Sequence, residues 1–234
     1  MTRFLPALLM FVITPVLTFA QSNQAKYGND FLSTGSGARA LGMGSAHVAL
    51  TNDVTSAYWN VAGLAEIDTP QIMYMHSERF SGIVGYDYGA AAMPLKSNKG
   101  VVSVSFFRQG VDNIANTLNA WDRERDQPKQ DVETYITRFS AADMALFFSY
   151  ATQKTEKLSY GASAKIIRQK LGPFAEAWGY SLDIGAKYKT DFANFGVTVH
   201  DVTTMQKMWD VSESEFGDYE AQFDSLGASL PTGQ

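Results

Sequence analysis

The sequence predicts an all-β fold, a transmembrane antiparallel β-barrel. Residues 67–234 are expected to form an incomplete half-barrel of about seven strands, behind a plug at 21–66 that contains short helices. Three observations lead there. Seven segments alternate apolar with small or polar residues, the period of two that a strand with unlike faces requires. After the first 20 residues no run of 18 consecutive apolar residues occurs, so no segment reads as a membrane-crossing helix. A closed barrel is then the remaining way to cross a bilayer with every backbone group paired. Third, the connections after the second, fourth and sixth segments are short, and the long ones follow odd-numbered segments. Outer-membrane barrels have short periplasmic turns and longer outer loops, so the first strand is expected to run outward.

Residues 1–20 read as a cleaved signal peptide. Arg3 precedes an apolar run at 4–16 that is too short to span a bilayer and is interrupted by Pro6 and Pro15. Thr18 and Ala20 are small enough for cleavage before Gln21, and Gln21 in place of cysteine argues against a lipoprotein. The protein is thus expected to be exported.

The plug follows. Small residues crowd it: Gly35, Gly37, Ala38, Ala40, Gly42, Gly44, Ser45 and Ala46. Such backbone can turn sharply or pack close against a wall. Asn52 or Asp53 is placed to cap a short helix ending near Trp59, and Asn60 to cap a second turn through Leu64. Neither phosphate-loop pattern fits. Ala40 stands where a dinucleotide-binding loop needs its third glycine, and Met43 stands where a Walker loop needs lysine.

The seven strand segments lie at 70–77, 83–94, 101–107, 141–150, 158–167, 178–188 and 195–199. The fourth sets Met144, Leu146, Phe148 and Tyr150 against Asp143, Ala145 and Ser149. The sixth is the clearest, with Trp178, Tyr180, Leu182, Ile184, Ala186 and Tyr188 against Gly179, Ser181, Asp183, Gly185 and Lys187. The apolar phase is expected to meet lipid and the small or polar phase the interior. In the second segment this assigns Tyr86, Tyr88, Ala90 and Ala92 outward and Gly85, Asp87 and Gly89 inward. Connections at 110–140 and 203–230 are read as long loops, and 169–177 as intermediate. With an odd strand count and Gln234 last, the chain is expected to be the first half of a longer protein, giving a curved open sheet with two free edges.

Composition narrows the function classes. Cysteine is absent, so neither disulfides nor thiolate chemistry are available. Charged residues are 18%, below the roughly 25% of soluble domains, and aromatics are 13%. The histidines, His47, His76 and His200, are scattered and show no two-histidine metal spacing, and no G-x-S-x-G elbow occurs. No catalytic residue, metal or cofactor is therefore expected, and an enzyme is not. Asp87 and Asp183 are placed to pair with Arg39 of the plug or with Lys165 and Lys187 of the wall, in an interior charge network. The last loop is acidic, with Asp210, Glu213, Glu215, Asp218, Glu220 and Asp224, and no basic patch exists to hold nucleic acid. The loop at 110–140 mixes Trp121, Arg123 and Arg125 with Asp122, Glu124 and Asp126, a possible partner contact.

The segment containing Gly37-Ala38-Arg39-Ala40-Leu41-Gly42-Met43-Gly44, then Asn52-Asp53, then Tyr58-Trp59-Asn60-Val61-Ala62-Gly63-Leu64-Ala65, resembles the plug, or hatch, of the PorV/PorQ family of outer-membrane proteins, relatives of the FadL fatty-acid transporters. The family usually has proline where Val61 stands, which would fix the start of the second turn. The resemblance implies a FadL-like barrel of about fourteen strands when complete. It implies a plug motif of Gly37, Arg39, Gly42, Gly44, Asn52, Asp53, Trp59, Asn60, Ala62 and Gly63. It also implies a cell outer membrane location in a Gram-negative bacterium and a role in type IX protein secretion. The partners would be outer-membrane lipid and secreted cargo proteins, or other secretion and attachment components. The alternative is a FadL-type channel for hydrophobic small molecules.

Overall fold

In the computed structural model, residues 29–96, 100–122, 125, 127–203 and 206–212 are described. The chain divides into Met1–Asp30, of which only the last two residues are described, and Phe31–Gln234. The expected signal peptide and most of the acidic stretch lie outside the described residues.

Antiparallel strands dominate the second unit: β1 (Gln71–Arg79), β2 (Val84–Pro94), β3 (Val101–Asn116), the small hairpin β4 (Trp121–Asp122) and β5 (Gln127–Pro128), β6 (Thr137–Gln153), β7 (Leu158–Leu171), β8 (Ala175–Lys189), β9 (Asn194–Val199) and β10 (Gln206–Val211). The main sheet runs β1-β2-β3-β6-β7-β8, with β9 and β10 both paired to β8. β9 pairs with the last half of β8 and β10 with the first, in the same direction, so they are two parts of one edge strand. The result is an open seven-strand half-barrel sheet, with β1 at one edge and β9/β10 at the other.

Several boundaries differ from expectation. β3 and β6 run past their predicted ends to Asn116 and back to Thr137, because the hydrogen-bond ladder continues beyond the apolar alternation after an irregularity at Val111/Ile114. The β7–β8 connection shrinks to 172–174, where Gly172 takes a φ of 53°. The last loop does not begin at 203; the chain re-enters the sheet as β10. Among the described residues the long-and-short pattern thus rests on the connection between β3 and β6.

One face of the sheet carries residues 31–67, in four short helical turns: Asp30–Thr34, Ala38–Gly42, Ser56–Trp59 and Val61–Glu66. Burial alternates along β8 as the sequence predicts, with Gly179, Ser181, Asp183, Gly185 and Lys187 on the covered inner face. β1, β3, β6 and β7 follow the same rule. β2 reverses it. Tyr86, Tyr88, Ala90 and Ala92 are buried on the inner face, and Asp87 and Gly89 point outward. The reason is packing: Tyr88 and Phe107, opposite each other across β2 and β3, join Phe147 in an aromatic wall against Tyr58 and Phe31 of the helical turns. Where the interior is filled by side chains rather than water, the apolar phase of a strand faces in.

Candidate functional site

The candidate site is the seat of residues 31–67 on the inner wall. Locally the segment is held by its own small and polar residues. Gly35 has φ 81°, and a Cβ there would strike the side chains of Leu41 and Trp59. Trp59 Nε1 donates to Ser36 O at 2.8 Å, while Tyr58 OH donates to Leu32 O and accepts from Gly35 N at 3.1 Å. Asp53 Oδ1 accepts from Thr55 N at 2.8 Å, a side-chain turn just before the helix at Ser56–Trp59. Asn60 caps the next turn, its Oδ1 accepting from Ala62 N at 3.1 Å. Burial pushes the Tyr58 phenol up to about 12, so it stays a neutral donor. Burial likewise lowers the pKa of His47, which packs edge-on to Trp59.

Asn60 also binds the wall. Its Nδ2 donates to Ala186 O of β8 at 3.2 Å and to Val48 O at 3.0 Å. The wall beneath is made of glycine. A Cβ on Gly185 would collide with Asn60 Oδ1; one on Gly161, its direct partner on β7, would sit 3.1 Å from the Val61 carbonyl carbon. One on Gly196 of β9 would sit 2.6 Å from Val48 O. Backbone meets backbone here, and only glycine permits that approach.

An ion-pair clasp lies beside this saddle. Lys187 of β8 is 2% exposed and donates to Thr51 O and, at 2.7 Å, to Glu66 Oε1. Lys189 reaches Glu66 Oε2 at 2.6 Å. Farther along the inner face Lys165 contacts Asp183 at 2.9 Å and Asp201 at 2.8 Å. Ser181 Oγ donates to Asp201 at 2.6 Å, and His200 Nδ1 lies 3.1 Å from Asp183. Asp201 has φ 56° and sits in the interruption between β9 and β10.

The expected interior network is therefore split. Lys165 and Asp183 meet; Lys187 binds the helical turns of residues 31–67 through Glu66 and Thr51. Arg39 joins neither, being exposed with its guanidinium 3.5 Å from Asn52. Asp87 lies on the opposite face, where it accepts from Tyr74 OH at 2.7 Å and from Arg108 at 3.4 Å, with His76 Nδ1 at 2.8 Å. The inversion of β2 puts it there. Gly42 and Gly44 are exposed and contact no wall, whereas Gly63 and Ala62 are buried, with no room for a Cβ on Gly63 beside Thr51 O. Gly37 has φ 82° and its N–H meets the sulfur of Met75. Glu66 was missed by sequence reasoning: a lone carboxylate at the end of a turn carries no periodic signal. No cluster of potential metal ligands occurs among the described residues. Comparison with protein-family models, with curated proteins and with solved structures finds no match for this chain.

Proposed function

We propose that this chain is part of a plugged outer-membrane β-barrel that handles exported proteins, the role implied by the likeness of its plug motif to PorV/PorQ proteins. The observation that carries the membrane reading is the outer face. From the level of Tyr74 and Tyr180 to that of Leu158 and Tyr188, every outward side chain on the paired strands is uncharged. Charges begin one level above, at His76, Asp87, Arg108 and Arg168. Tyr180 and Tyr188 bound the band on β8, eight residues apart, and Trp178 stands one level above, among the first charges. At about 3.3 Å per residue and a tilt of about 40°, the band is about 20 Å deep, and about 25 Å with the Trp178 level, close to the apolar band of an outer-membrane barrel. In a bilayer the edges at β1 and β9/β10 need further strands, from this protein or another chain, to pair their backbone groups.

The preference for a protein client over a hydrocarbon one follows the likeness of the plug motif alone, because the inner face is mixed: buried Ser103, Ser105, Ser149, Ser163 and Ser181 stand beside the aromatic wall of Tyr88, Phe107 and Phe147. Deleting the gene tests the choice of client. Loss of proteins from the cell surface with fatty-acid uptake intact is the expected result. Reduced uptake with an unchanged surface proteome would establish the FadL-type channel instead.

A further inference from the structure

Along the outer face, β2 carries Gly89 and Ala91 where its neighbours carry large side chains. Ile72 and Tyr74 of β1 stand on one side, 87% and 65% exposed, and Val104 and Phe106 of β3 on the other. Between them runs an apolar trough of about 550 Å3, continued by a second depression of about 410 Å3 toward Met93. The Phe106 ring lies over Gly89, where any Cβ would collide with it, so the floor is closed at one end by an aromatic edge and stays open along Ala91.

The trough has a defined top. One residue pair above Gly89, Asp87 gathers Tyr74, His76 and Arg108 into a hydrogen-bonded polar cluster. The two depressions are floored from Gly89 to Met93, four residues of strand. At about 3.3 Å per residue and a tilt of about 40°, this is about 10 Å of depth, within one leaflet of the roughly 30 Å hydrocarbon core. An apolar furrow that opens just below a polar cluster and stays inside one leaflet matches one occupant in position and chemistry. We propose that it seats a single acyl chain of an outer-leaflet lipid, with the Asp87 cluster at the height of that lipid's headgroup. The inference rests on the membrane reading above. An empty furrow would forfeit van der Waals contact along both walls, and a straight hydrocarbon chain restores it.

The test is native mass spectrometry of the full chain, purified from membranes in mild detergent and titrated with a phospholipid bearing saturated sixteen-carbon chains. Ala91→Phe fills the trough; Leu182→Phe places the same ring at the same depth on β8, outside it. The expected result is one retained lipid on the native protein and on Leu182→Phe, and at least tenfold weaker retention on Ala91→Phe. Equal retention on all three proteins overturns the proposal, as does exchange of the lipid for a co-purifying protein segment in the trough. Carbonate extraction of the same membranes separates the two levels of failure. If all three proteins stay in the membrane, a negative lipid result defeats only the acyl-chain site; if the native protein washes out, the membrane reading falls with it.

Discussion

Lys187 and Glu66 show what a single residue does in this molecule. Lys187 is buried in the wall, and its charge is balanced by a carboxylate that arrives with the plug. Removing Glu66 leaves that ammonium with only the Thr51 carbonyl, and breaking a buried pair costs about 3 kcal/mol or more. Glu66→Ala is thus expected to expose residues 31–67 to protease, whereas Lys189→Ala, at a side chain 44% exposed, should cost less than about 1 kcal/mol and leave protection intact. His47 sets the pH response. Its folded pKa is lowered from 6.5, chiefly by burial, so below that value the released plug binds more protons than the seated one. Protease protection should hold at neutral pH and fall as the pH drops below 6.5 through the lowered value, and His47→Phe should flatten that response.

At the scale of elements, legibility followed what each strand faces. β8 was readable because its outer phase is apolar and its inner phase meets glycine saddle, serine and ion pairs, so the two phases differ sharply in composition. β2 was misread because Tyr86 and Tyr88 serve the plug, and alternation alone does not say which medium is outside. The Asn60 cap was visible as an asparagine before a small-residue turn; its second bond, to Ala186 O, joins residues far apart in the chain and left no local trace. The saddle gives the sharpest element-level prediction. Gly185→Val places a methine carbon where Asn60 Oδ1 lies, so the Val61–Glu66 turn must lift while the sheet keeps its register. The expected outcome is unchanged strand content by circular dichroism with loss of plug protection. Asn60→Ala should weaken seating less, by about 1 kcal/mol for the cap, plus the loss of its wall bond.

For the molecule as a whole, one division organises everything described: an outer face with an uncharged band and an inner face covered by residues 31–67 and their polar partners. That division was legible as period two. The chain contains no cysteine, so a single introduced thiol reports its own position without interference. The most direct measurement is a cysteine scan of residues 178–188 in native membranes, each thiol challenged with a lipid-soluble maleimide and with a charged, membrane-impermeant one. Period-two labelling is expected: positions 180, 182, 184 and 186 react with the lipid-soluble reagent alone, and 181, 183, 185 and 187 are shielded by the wall and plug. Reaction of the even-numbered positions with the charged reagent, or no alternation at all, would contradict it.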